Sequence, residues 1–135
     1  DGMGGGICQV SSTLFQSVLR ADLKIIQRHN HTVKVTYVSP GADATVSWGD
    51  LDFKFKNPYN CDIRLSFSVN SGKLTCSVYS KEKLNIGDID ISIKQDKKNK
   101  MKYTLTRKVD GKTDYSTNST YKNAAKSTTT TKKSS

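Results

Sequence analysis

One change of period governs this sequence. Up to Ala21 the large apolar residues Val10, Leu14, Phe15, Val18 and Leu19 recur at helical spacing, and beyond Arg28 the pattern alternates residue by residue. A chain that spells one helix and then only alternation is restricted to an α+β fold, with a single N-terminal helix packed on a mainly antiparallel sheet. The helix is predicted over Gln9 to about Ala21, after a glycine loop. Asp22 ends it, because Asp tolerates the left-handed conformation a helix C-cap often uses.

The alternation predicts strands with one apolar face. His29, His31, Val33, Val35 and Tyr37 share the inward face of the first, Ala44, Val46 and Trp48 of the second, and Leu51, Phe53 and Phe55 of the third. On the third, Asp50, Asp52, Lys54 and Lys56 point outward. Residues 61–80 read as a hairpin turning at "NSG", with Phe67 opposite Leu74, Leu65 opposite Cys76 and Ile63 opposite Val78, which gathers the large apolar side chains on one face. Two further alternating segments, "DIDISI" and "MKYTLTRKV", follow, with turns at "DKKNK" and "DGK".

Composition matters because it is uneven. Hydrophobic residues are only 34% of the 135, and most of the net charge of +10 falls after residue 80. Residues 1–80 therefore read as the packed domain, 81–123 as a basic β-rich extension with a small antiparallel appendage, and 124–135, "AAKSTTTTKKSS", as a disordered Ser/Thr/Lys tail. No run approaches the ~20 apolar residues of a membrane span. Asp1 is not a natural start, so the sequence reads as a fragment whose N-terminal portion, with any export signal, lies upstream.

Three cysteines leave at least one thiol free. In the hairpin register Cys61 and Cys76 stand about four residues apart along paired strands, roughly 13 Å at ~3.3 Å per residue, too far for a disulfide. Cys76 faces the apolar side and reads as a core residue, and no C-x-x-C pair suggests zinc. Neither a metal nor a cofactor is expected.

Cys8 is different, because it stands between "GMGGG" and the predicted helix. Free N–H groups and the positive dipole end of a helix start favour thiolate over thiol, and the same N–H groups can hold an oxyanion. Gly5 and Gly6, with Gln9 behind them, are then expected to form the substrate and oxyanion loop. A buried cysteine after a flexible turn fits the spacing equally well. A thiol nucleophile needs a base and the base an orienter. His29 and His31 are the two histidines present, both on one predicted strand face, and Asp43 at the start of the next strand can orient either.

The stretches "GGGICQVSSTLF", "RHNHTVKVTYVSPGADATVSWG" and "LDFKFKN", taken together and in this order, closely resemble the VanW family over about residues 3–80. The family pattern begins upstream of Asp1, and residues 84–122, ending "NSTYK", resemble the basic β-rich tail that often follows such a domain. One departure is Asp22, where the family commonly has Gly after the helix.

The resemblance implies an extracytoplasmic protein of the cell envelope in Gram-positive-type bacteria, with a link to vancomycin-resistance clusters. It also implies L,D-transpeptidase activity, which makes 3–3 cross-links between peptidoglycan stem peptides through a thioester. Carried onto this sequence it gives Cys8 as nucleophile, His31 rather than His29 as base, and Asp43 in the "GADATV" block. A wall cysteine peptidase or carboxypeptidase, and a non-catalytic wall-binding module, are the rival readings. Nucleic acid is not an expected partner, since the lysines lack aromatic interleaving; anionic wall polymers suit the basic charge better.

Overall fold

The computed structural model describes residues 2–123. The tail expected to be disordered lies outside the described residues.

Helix α1 spans Gly2–Arg20 and is followed by β1 (Lys24–Gln27) and β2 (Lys54–Lys56). The remaining strands are β3 (Ile63–Asn70), β4 (Lys73–Ser80), β5 (Ile89–Gln95), β6 (Lys102–Val109) and β7 (Lys112–Thr120). They form three small antiparallel sheets, β1-β2, β3-β4 and β5-β6-β7. The α+β class follows.

The core is the meeting of α1 with these sheets. Phe15, Leu19, Ala44 and Leu105 are fully buried, and Ile25, Phe53, Ile91, Ile93 and Tyr115 pack around them. Phe15 meets Phe53 edge-on at 5.6 Å between ring centroids. Each such large side chain contributes about 1.5–3 kcal/mol by leaving water. The basic segment beyond residue 84 thus closes one side of the core through Leu105, and Ser17 Oγ ties the helix to β4 by donating to the Cys76 carbonyl at 2.7 Å.

The helix ends as its sequence predicts. Asp22 is left-handed, at φ 56°. Leu23 N–H reaches back to the Val18 carbonyl at 3.1 Å and Asp22 N–H lies 3.3 Å from that of Leu19, a Schellman-type closure. Buried Arg107 of β6 completes it by donating to the Leu19 and Leu23 carbonyls at 3.0 and 3.1 Å. The same guanidinium pairs with Asp114 and stands 3.4 Å from Asp22.

The helix start departs from expectation. The glycines are not a loop: α1 runs through them from Gly2. Glycine costs about 1 kcal/mol per helical position, but tertiary packing of the amphipathic face outweighs propensity, and the helix anchored at Phe15 and Leu19 propagates back past Cys8.

Three strand predictions also fail. Residues 28–46 carry no strand, the Ala44–Trp48 segment retains one bridge, Ser47 with Leu51, and the third strand shrinks to β2. Trp48, expected inward, is 95% exposed. In this excursion the backbone finds side-chain partners instead of a neighbouring strand, so alternation there does not report a ladder.

The 61–80 hairpin exists, with its register displaced by two residues: Phe67 faces Cys76, Leu65 faces Val78 and Ile63 faces Ser80. The turn is Ser71–Gly72, both at positive φ (54° and 77°), the type I′ geometry that places glycine inside a two-residue loop. An even displacement keeps every side chain on its face. Asp110–Gly111 makes the same turn between β6 and β7. Strand β7 was not separately visible, being rich in Thr and Ser with little apolar alternation.

Candidate active site

One face of α1 changes character along its length. Phe15 and Leu19 enter the core, whereas a turn or two earlier the buried positions are Ser11 and Ser12. These two hydroxyls donate to the Ala44 carbonyl at 2.6 and 3.1 Å, and Ser12 Oγ accepts the Ala44 N–H at 2.9 Å. The segment 43–46 is thereby strapped across the helix. It sets Thr45 Oγ1 3.3 Å and the Val46 carbonyl 3.6 Å from the half-buried Cys8 Sγ.

Asp43 is the hub of the strapped segment. Its side chain is 1% exposed. Oδ2 accepts the His31 backbone N–H at 2.6 Å and His31 Nδ1–H at 2.5 Å, and Oδ1 accepts the Tyr121 hydroxyl at 2.5 Å. Tyr121 Oη in turn accepts the N–H of Gly41 at 2.7 Å. Gly41 has φ 93°, and a Cβ there would stand 3.0 Å from Ile93, so both backbone and packing call for glycine.

Arg28, equally buried, donates Nε and Nη2 to the Asp43 carbonyl at 2.8 and 2.6 Å, and Nη2 stands 3.5 Å from Oδ1. Its guanidinium lies over the Phe15 ring at 5.0 Å. With Nδ1 committed to Asp43, His31 turns Nε2 toward Tyr37 Oη, 3.3 Å away, and its ring is near enough to Cys8 for each to shift the other's titration.

The electrostatics follow from these contacts. Burial opposes the Cys8 thiolate, but hydrogen bonds from Thr45, from the Val46 backbone and from His31, with the His31 charge, outweigh it and lower the thiol below its ordinary value. The Asp43 hydrogen bond raises His31 above its ordinary value, against burial and with help from Cys8. Burial likewise works against the Asp43 carboxylate, yet His31, Tyr121 and Arg28 hold it below the usual range. Burial, then the Asp43 bond, push Tyr121 up to about 12, so it remains a donor. Lowered thiol and raised imidazole favour a thiolate–imidazolium pair.

The structure therefore brings Cys8, His31 and Asp43 together, and excludes other expected members. His29 points its Nε2 at Gln27 Nε2, 3.0 Å away, while its carbonyl accepts the Thr45 N–H at 2.8 Å. Since residues 29–37 are not a strand, the two histidines share no face. Gly5, Gly6 and Gln9 lie within α1 and form no loop. Cys8 is likewise inside the helix, past the first turn where N–H groups are free. The expected oxyanion site at a helix start is therefore not formed at Cys8. The sequence pointed to neither Arg28 nor Tyr121; Arg28 stands in the "RHNH" block, and Tyr121 is an aromatic at the end of a Ser/Thr-rich strand. Cys61 and Cys76 are free thiols.

Among the described residues no group of three His, Cys, Asp or Glu side chains is arranged to hold a metal, and no helix is long and apolar enough to cross a membrane. A cleft of about 900 Å³ is bordered by Ile7, the helix neighbour of Cys8, and by Val46, Trp48 and Leu51.

Fold and site define an α+β protein in which a cysteine on a helix is set against an imidazole and a buried carboxylate on an irregular loop. The chain belongs to the VanW family: the family model described as "VanW like protein" matches residues 1–79. It is 53% identical over 85 residues to the uncharacterized protein YoaR of Bacillus subtilis, an alignment covering 63% of this chain and 28% of that protein. It is 36% identical over 83 residues to the vancomycin B-type resistance protein VanW of Enterococcus faecalis, covering 57% of this chain and 30% of that one. The chain thus spans less than a third of the length of either relative. No solved structure matches it.

Proposed function

We propose that this chain carries the acyl-transfer site of a cysteine-dependent L,D-transpeptidase of the cell envelope, acting outside the cytoplasm on peptidoglycan stem peptides. The observation that carries the reading is the row Cys8–His31–Asp43, with the thiol lowered, the imidazole raised and the carboxylate buried behind it. A module that only binds wall material needs no such row.

The Cys8 thiolate attacks the carbonyl at the L-centre of the third residue of a donor stem. The tetrahedral oxyanion is met by hydroxyl donors; the 3.3 Å contacts of Thr45 with the sulfur and of Tyr37 with His31 support these two in that role. The bond to the terminal D-alanine breaks, and His31 Nε2 protonates the departing nitrogen. A thioester and a neutral imidazole remain. The side-chain amine of a second stem then attacks the thioester carbonyl, forming the amide. His31 takes its proton as the C–S bond breaks, which restores the thiolate–imidazolium pair. Asp43 holds the ring and its Nδ1–H tautomer throughout.

The test is to incubate the full-length protein with tetrapeptide-bearing muropeptides and read the products by mass. Cross-linked dimers lost in Cys8→Ala support the reading. Tripeptides alone, also Cys8-dependent, would mean that water is the acceptor and the protein a carboxypeptidase. Unchanged muropeptides would leave the wall-binding alternative.

A further inference from the structure

The cleft bordered by Ile7 and Val46 has a composition the acyl-transfer row does not use. Trp48 stands on its border 95% exposed, the most exposed of the large hydrophobic side chains among the described residues. A lone apolar side chain at a surface is ordinary, but an indole almost wholly in water beside Ile7 and Leu51 makes an open apolar wall. Asp50 and Asp52 border the same cleft, with Lys54 at its edge. In a chain of net charge +10 this cleft has two carboxylates against one ammonium. Two of its lining residues flank the thiol: Val46 places its carbonyl 3.6 Å from Cys8 Sγ, and Ile7 adjoins Cys8 in the helix.

We infer that this cleft is the acceptor subsite, and that it selects a peptide bearing a primary ammonium group. Trp48 offers a flat apolar surface, with a π face that attracts a cation. Asp50 and Asp52 supply the opposite charge. The inference rests on the proposed acyl transfer for its role, but the binding it claims is independent of chemistry. An ammonium held there must release one proton to solvent before the neutral nitrogen can attack the thioester. The second proton passes to His31 as the C–N bond forms and the C–S bond breaks. A cleft that gathers the amine between Ile7 and Val46, the residues flanking the thiol, favours transfer over hydrolysis.

Trp48 is the chain's single tryptophan, so intrinsic fluorescence reports on the cleft directly. The experiment titrates the full-chain Cys8→Ala protein with a stem tripeptide, which has no fourth residue to lose, and with the same tripeptide N-acetylated on its side-chain amine. Kd is read by Trp48 fluorescence and by calorimetry. The free amine is expected to bind at least fivefold tighter, with a change in Trp48 emission, and Asp50→Asn/Asp52→Asn is expected to erase the difference; calorimetry with Trp48→Ala is expected to show weakened binding of both peptides. Asparagine at position 52 keeps an acceptor for the Phe53 N–H that Asp52 receives at 2.8 Å, so the loop is conserved. Equal Kd for the two peptides, or binding without a Trp48 response, would overturn the inference. Failure of the acyl-transfer reading shows elsewhere, as the absence of any acyl adduct on wild-type Cys8.

Discussion

Asp43 shows how much one residue can organise. Its carboxylate receives the ring and backbone of His31 and the hydroxyl of Tyr121, and its carbonyl receives Arg28. Asp43→Asn leaves Arg28 buried without its counter-charge, so a loss of about 3–5 kcal/mol is expected, read from denaturant midpoints. The sign with pH follows from the lowered carboxyl. The Asp43 contribution is present above the unfolded carboxylate value near ~3.9 and is lost as pH falls through the folded one, so the wild-type advantage over Asp43→Asn should shrink in acid. His31 has the opposite sign: its raised value contributes below the ordinary histidine range and fades as pH rises through the folded value.

Tyr121→Phe removes one hydrogen bond to Asp43 and the acceptor for Gly41 N–H, at a cost of about 1–3 kcal/mol. Its effect on chemistry is more specific. With Asp43 less restrained, the imidazolium is held less well, and the thiolate with it. The pH profile of Cys8 alkylation by iodoacetamide, located by peptide mass, should move toward that of an ordinary thiol in Tyr121→Phe and further in His31→Ala. An unmoved profile in both would mean that the row does not tune the sulfur. Cys8, His31 and Asp43 were legible in the sequence as residue types with complementary chemistry. Tyr121 and Arg28 were not, because nothing local marks a tyrosine 78 positions from its carboxylate or separates a structural arginine from a solvated one.

At the scale of elements, legibility followed the kind of partner each backbone finds. The hairpin turns and the Asp22 cap were readable because positive φ has a short list of willing residues. The strand over 29–37 was not, because its alternation belongs to a loop held by Arg28, Asn30 and Asp43 side chains. The glycine-rich start was misread by propensity, which the packing of Phe15 and Leu19 overrides. The C-terminal end of α1 depends on Arg107 in the same way. Arg107→Ala strands the carbonyls of Leu19 in the helix and Leu23 just beyond it, and leaves Asp114 without its bidentate partner. A loss of about 1–3 kcal/mol is expected from the unsatisfied carbonyls, seen as a fall in Tm, with the shape of the Cys8 alkylation profile retained in the folded protein. A profile altered as strongly as in His31→Ala would place Arg107 in the site instead.

Over the whole molecule, the family match ends at residue 79, but the physical unit does not. Leu105 lies in the same cluster as Phe15, Arg107 caps α1, Tyr121 holds Asp43, and Lys122 N–H and the Thr120 carbonyl bracket the His31 loop through Thr32 and Asn30. Residues 1–83 expressed alone are therefore expected to unfold without a cooperative transition, and calorimetry against the full chain checks it. If Cys8 acts as an acyl nucleophile driven by His31 and Asp43, an acyl-enzyme must form on its sulfur. Intact-mass analysis of the full chain, quenched in acid during reaction with a stem tetrapeptide, tests it most directly. A covalent adduct of the tripeptide acyl group on Cys8, absent in Cys8→Ala and strongly slowed in His31→Ala, is the predicted result. A wild-type protein that consumes the tetrapeptide with no adduct on Cys8, or a Cys8→Ala protein that consumes it equally fast, would contradict the claim.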